Sequence, residues 1–197
     1  MFGSSLVFRI FGFLLLALFF VGCSSENEND GTKETNTLFV GASVITKTDF
    51  SVVLPASWKE FSVSEIGENS QAKAAFRRIE SVSGGYPNIV VHEETLPETL
   101  SALEFFTISR DNEQDSLIGF QRVSEDQITL SGHPAVLFEF LARLEPDGNE
   151  YRYWQLFFIQ NQKGIVVTGS APKEADEKVI FEIESILKNI RIPKAAT

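Results

Sequence analysis

Tyr151-Arg152-Tyr153-Trp154-Gln155-Leu156-Phe157-Phe158-Ile159-Gln160 is the stretch on which the fold turns. Its aromatic and branched side chains suit a pleated backbone. Successive residues of a strand point to opposite faces, so Tyr151, Tyr153, Phe157 and Ile159 share one face and Trp154, Leu156 and Phe158 the other. Ala135–Leu144 repeats the pattern, with Val136, Phe138, Phe140 and Leu144 on one face and Leu137 and Leu141 on the other. Strands that are apolar on both faces must be covered on both faces. A barrel or a one-sided sheet would alternate more cleanly, so the expected class is α+β, an antiparallel sheet sandwiched between helices.

Outward from this stretch, Pro146-Asp147-Gly148-Asn149 before it and Asn161-Gln162-Lys163-Gly164 after it are turn signals, and Ile165–Ser170 follows as a strand. Phe120–Leu130 comes earlier, separated from Ala135–Leu144 by the break Ser131-Gly132-His133-Pro134, and together these runs read as an antiparallel meander. In the first half Leu38–Ile45, Phe50–Leu54, Ala74–Glu80 and Asn88–Glu93 read as strands. Pro55-Ala56-Ser57-Trp58 stops the second of them, and Ser83-Gly84-Gly85 turns the third into the fourth. Ser101-Ala102-Leu103-Glu104 fits a helical capping box, with Phe105, Phe106 and Ile108 as the apolar side. A second helix opens at Pro172, carries Glu174, Asp176 and Glu177 near its positive end, and lines up Val179, Ile183, Ile186, Leu187 and Ile190 as one stripe.

The N-terminus is of a different kind. Residues 1–22 hold one charged side chain, Arg9, followed by an apolar run from Ile10 to Val21, too short for the roughly 20 residues a spanning helix needs. Phe20-Val21-Gly22-Cys23 resembles the lipobox of bacterial lipoproteins, with Phe20 where that pattern usually has Leu. The resemblance implies a signal peptide over 1–22 and lipidation of Cys23, which becomes the acylated N-terminus, with palmitate among its chains. Two or three acyl chains hold a protein on a membrane where one holds it only marginally. Residues 24–37 contain no apolar side chain and read as a solvated tether, so 23–37 links the anchor to a folded domain at 38–194. Ser24, where Asp would resemble an inner-membrane retention signal, implies the outer membrane in a diderm cell; in a monoderm the anchor sits in the cell membrane.

Composition removes several functions. The chain of 197 residues has 17 basic and 27 acidic side chains, a formal charge of −10, which argues against a general nucleic-acid binder. Loss of Arg9 with the leader takes this to −11. A single Cys forms no internal disulfide, and one Cys with two His is too few for a Cys/His zinc site.

The order of pieces resembles the PsbP-like (Mog1/PsbP) fold family, which includes small bacterial lipoproteins. Phe50-Ser51-Val52-Val53-Leu54-Pro55-Ala56-Ser57-Trp58, Gly132-His133-Pro134-Ala135, the strand pair Tyr151–Gln160 and Gly164–Ala171, and the terminal helix ending Ile186-Leu187-Lys188-Asn189-Ile190-Arg191-Ile192 carry the resemblance. It implies an α/β/α sandwich around an antiparallel sheet and an accessory or binding role rather than an enzymatic one.

Sites of chemistry are sparse. An acylated Cys23 is no nucleophile. There is no G-x-S-x-G elbow, no P-loop and no G-x-G-x-x-G; Thr168-Gly169-Ser170-Ala171-Pro172 is the nearest approach to the first. His133 reads as a turn residue. His92 and Glu94 would share one side of a strand and are the candidate metal ligands, but no third ligand can be named. Asp111-Asn112-Glu113-Gln114-Asp115 reads as a solvated helix end and loop, and Trp58 and Trp154 as core anchors. No cofactor is expected. The expected function is a lipid-anchored extracytoplasmic protein that contacts an envelope protein, ahead of a small-ligand or metal-binding lipoprotein with a cleft between sheet and helix, and of a carboxylate-based hydrolase.

Overall fold

The computed structural model describes residues 38–65, 71–96 and 99–193. The leader 1–22, Cys23, the tether 24–37 and the domain end at 194 lie outside the described residues. In chain order the strands are β1 (Ser43–Thr46), β2 (Ser51–Leu54), β3 (Trp58–Glu60), β4 (Ala72–Arg78), β5 (Asn88–Thr95), β6 (Ile118–Leu130), β7 (His133–Arg143), β8 (Tyr151–Gln160) and β9 (Lys163–Pro172). Helix α1 (Ala102–Glu113) lies between β5 and β6, and α2 (Glu177–Lys188) follows β9. Strands β3 to β9 form one seven-stranded sheet in the order β3-β4-β5-β9-β8-β7-β6, and every pairing in it is antiparallel.

The two faces of β8 are those its sequence predicts. Trp154, Leu156 and Phe158 join a core with Phe76, Ile89 and Val167, closed by Val179, Ile183, Ile186 and Leu187 of α2 and by Val52 and Leu54 of the β1–β2 hairpin. Tyr151, Tyr153, Phe157 and the partly buried Ile159 join a second core under α1. There Phe106 meets Phe138 and Phe157 with ring centroids 5.2 Å apart in each pair, inclined rather than stacked. The architecture is the expected α/β/α sandwich. Burial of each such side chain contributes roughly 1.5–3 kcal/mol, so the two cores, not the helices' intrinsic propensities, hold the layers together.

Strand β9 makes the layers approach closely. A Cβ on Gly164 would lie 2.5 Å from Cζ of Phe105 in α1, and one on Gly169 would lie 2.6 Å from Cγ2 of Ile183 in α2. One helix thus rests on backbone at each face of the same strand.

Both helices start at side-chain caps. Ser101 accepts from the Glu104 backbone N–H at 3.2 Å while the Glu104 carboxylate accepts from the Ser101 backbone N–H at 2.8 Å, the capping box read from sequence. Asp176 caps α2 by accepting from the Val179 N–H at 2.9 Å.

Several sequence expectations need correction. Pro172 is not in the second helix; it ends β9 opposite Tyr151, and the Ala175 N–H donates to its carbonyl before Asp176 opens the helix. Ile108 does not join the apolar side of α1 but is 39% exposed. His133 is not a turn residue. It starts β7 opposite Leu130, because Ser131 and Gly132 at φ 50° and 87° close a two-residue hairpin whose twist matches its strands. Asn161 and Gln162, at φ 52° and 62°, do the same for β8 and β9, so Lys163 and Gly164 belong to β9. Leu144 lies beyond the end of β7. The first strand begins at Ser43 rather than Leu38, and it pairs with β2 in a separate two-stranded sheet. Ser51 and Arg191 exchange backbone hydrogen bonds at 2.8 and 2.9 Å, which ties this hairpin to the chain after α2.

Strand β6 is 13 residues long and forms one edge of the large sheet. Its pairing with β7 shifts register twice, between Ile118 and Gln121 and between Arg122 and Ser124. Such bulges bend and twist an edge.

Candidate functional site

The turn that ends β2 positions the first part of the site. The Trp58 N–H donates to the Pro55 carbonyl at 2.9 Å, and the Ile79 N–H donates to the Ser57 carbonyl at 2.8 Å, which fixes Pro55-Ala56-Ser57-Trp58 against the end of β4. The indole of Trp58 enters the α2-side core, 4% exposed, and its N–H donates to Glu182 of α2 at 2.9 Å. Arg78 Nε, at the end of β4, donates to the same carboxylate oxygen at 3.1 Å, and Ser57 Oγ reaches the other oxygen at 3.5 Å. Glu182 is 2% exposed, so this carboxylate is buried among its donors. A buried charge of this kind is tolerated only when paired and hydrogen-bonded. The Arg78 guanidinium also reaches Glu80 at 3.6 Å, a carboxylate in solvent.

Above this network lies a groove of about 230 Å³, lined by Leu38, Val40, Pro55, Ala56, Ser57, Arg78, Lys178, Phe181 and Glu182. Its rim is apolar and wet: Val40 is 70% and Phe181 41% exposed. Its floor is the Glu182–Arg78–Trp58 network. One oxygen of Glu182 accepts from Trp58 and Arg78, and the other faces Ser57 Oγ, so the carboxylate joins the β2–β3 turn and the end of β4 to α2.

Sequence reasoning singled out Trp58 and the turn before it but missed Arg78 and Glu182. The signal for Glu182 was present. It falls three residues after Val179 and four before Ile186, inside the apolar stripe of α2 where a carboxylate would be costly without partners.

The other nominated residues lie elsewhere. Cys23 is outside the described residues. His92 and Glu94 do lie on one side of β5, the α1 side, where His92 faces the rows of Ala72 and Val166. Burial lowers the His92 pKa from 6.5 to about 4 and raises that of Glu94. Among the described residues no group of three His, Cys, Asp or Glu could hold a metal ion. The intervening Glu93 turns the other way and pairs with Lys163 at 2.9 Å.

The acidic segment Asp111–Asp115 is only in part a solvated end. Glu113 tucks inward, and Gln155 Nε2 donates to its two oxygens at 3.1 and 2.9 Å. Burial pushes the Glu113 carboxyl up, with the Gln155 bond partly opposing it. Trp154 is the expected core anchor, 1% exposed, and its indole N–H finds no hydrogen-bond partner among the described residues.

No protein-family model matches the chain, and no curated protein matches it. Solved structures do. Cyanobacterial PsbP (CyanoP) from Synechocystis superposes with a TM-score of 0.56 at 14% identity, covering 83% of this chain and 98% of that one. The chain has the PsbP/Mog1-like fold. LpqN of Mycobacterium tuberculosis, involved in cell envelope biogenesis, shares it with a TM-score of 0.56 at 14% identity over 77% of this chain and 91% of LpqN. The Ran-binding protein Mog1p of Saccharomyces cerevisiae shares it with a TM-score of 0.52 at 10% identity, over 77% and 95%. The superposed region spans nearly the whole length of these three chains. At such identities the likeness concerns backbone architecture, and a role must be argued from side chains.

Proposed function

We propose that the chain is a lipid-anchored extracytoplasmic binding or accessory protein that contacts another envelope protein or complex and performs no catalysis. The groove between Leu38–Val40, the Pro55–Ser57 turn and α2 is its contact surface. The observation that carries this reading is the pairing of exposed Val40 and Phe181 with a floor of buried, mutually satisfied polar groups. Interfaces use apolar anchors beside ordered, desolvated polar groups in this way. LpqN's involvement in envelope biogenesis and Mog1p's Ran binding agree with a binding role on this fold. The lipobox-like Phe20-Val21-Gly22-Cys23 supports the anchor, and the groove lies at Leu38, directly after the polar tether.

Photo-crosslinking residues at Val40, Phe181 and, as a control on β6, Val123 test the surface in intact membranes. The expected result is one recurrent adduct from the first two positions and none from Val123. Equal labelling at all three would overturn the assignment of the groove. The anchor is tested separately by fatty-acid labelling and membrane fractionation of Cys23→Ser, which should lose the label and move to the soluble fraction.

A further inference from the structure

The α1 face of the sheet holds a second feature, on the opposite side from the groove. Arg77 of β4 lies with its guanidinium carbon 5.4 Å from the ring centroid of Phe61 and 5.4 Å from that of Tyr86. Phe61 comes from the strand side beyond β3 and Tyr86 from the approach to β5, so the guanidinium is flanked by aromatic rings from both neighbours. Arg78, Arg110, Arg122 and Arg152 each pair with a carboxylate, whereas Arg143 and Arg191, like Arg77, form no ion pair among the described residues. Arg77 is half-buried and pairs with no carboxylate among the described residues. Register puts Lys59 of β3 on one side of it and Asn88 of β5 on the other, on the same face. The row continues through Ser170 to Tyr153, and no acid stands in it. In a chain with 27 acidic residues this is a local reversal of charge.

We propose that Arg77, with Lys59 beside it, is a recognition site for a carboxylate presented by an acidic peptide segment of a partner. Two rings restrain the guanidinium, which is only partly buried. A planar carboxylate can meet the guanidinium fork with two parallel hydrogen bonds. Directly opposed positions on neighbouring strands bring their Cβ atoms to within about 5 Å, which lets the Lys59 ammonium reach the same anion. The surrounding acidic surface repels acidic peptides elsewhere and so concentrates them at this point.

The test is isothermal titration of the full-length chain with a capped hexapeptide rich in Asp and Glu, its Asn/Gln analogue, and inorganic phosphate. The expected result is binding of the acidic peptide alone, weakened by added salt. Arg77→Gln should lower it about tenfold or more, and Arg77→Lys, which keeps the charge and loses the fork, should recover only part of it. Lys59→Gln, an exposed change, should lower it about threefold with an unchanged melting temperature. Binding that is insensitive to both Arg77→Gln and Lys59→Gln would overturn the proposal, as would equal binding of the Asn/Gln peptide. So would phosphate binding without peptide binding, or no binding at all. If Arg77→Gln does not fold, Lys59→Gln and the salt dependence decide.

Discussion

The two faces of the sheet are finished differently. On the α2 side a helix and a hairpin close over Trp154, Leu156, Phe158 and their neighbours, and the acid that intrudes, Glu182, has its oxygens occupied by Trp58, Arg78 and Ser57. On the α1 side the helix lies over β7 and β8, and the strands beyond carry polar groups: Asn88 and His92 on β5, Thr168 and Ser170 on β9, Arg77 on β4. Even the buried part of this side contains polar Gln155 and half-buried Glu113. The difference teaches that the larger apolar core closes the α2 face, where polar groups enter only as a paired network, whereas the strands beyond α1 carry theirs singly.

The largest effect that could break this comparison is Glu182→Ala. It leaves the Trp58 indole and the Arg78 guanidinium without their acceptor on the well-packed side, and stability should fall by roughly 3–5 kcal/mol in urea denaturation. A loss below 1 kcal/mol would mean that the α2 side does not depend on its polar network.

The next effect belongs to the α1 side and depends on pH. His92 has a folded-state pKa of about 4 against 6.5 when unfolded. Above 6.5 neither state is protonated. As the pH falls below 6.5 the unfolded chain takes up a proton that the folded chain refuses, so stability is lost progressively down to about pH 4. The loss should reach at most about 3 kcal/mol. Thermal unfolding followed from pH 7 to pH 4 should show it, and His92→Gln should flatten that part of the profile.

The smallest effects sharpen the comparison within a single strand. Gly169→Ala forces a methyl against Ile183, and Gly164→Ala forces one against Phe105. Each should cost roughly 1–3 kcal/mol as overpacking. Hydrogen exchange should separate them. Gly169→Ala should raise exchange throughout the sheet, whereas Gly164→Ala should raise it chiefly in α1.

Much of this was legible in the sequence, for physical reasons that differ by element. Tyr151–Gln160 announced two covered faces because large apolar residues fill both parities of a strand. The stripe of α2 and the capping box of α1 are local patterns, and local patterns survive into the fold. What failed depended on partners distant in sequence. The β1–β2 hairpin sits outside the main sheet because Ser51 pairs with Arg191, which no local signal reports. Ile108 reads as part of the apolar side of α1, yet an apolar residue at helical spacing says nothing about how wide a stripe the sheet can cover. Pro172 fits a helix N-terminus as well as a strand end, and its pairing with Tyr151 decided between them. Glu182 and Arg78 were missed because their meaning lies in each other, 104 residues apart. The lipobox reading concerns Cys23, which lies outside the described residues.

The two register shifts of β6 bear on how copies of this chain behave when crowded. A straight strand of that length, open along one side, would offer a continuous template to any other extended backbone. Here the run of outward N–H and C=O groups is broken twice, at Ile118–Gln121 and at Arg122–Ser124, and the stretch between carries charge. Neighbouring molecules meeting edge to edge find an unbroken run only over Ser124–Leu130. The kinks therefore act as partial insulation, cutting a 13-residue template to about half its length.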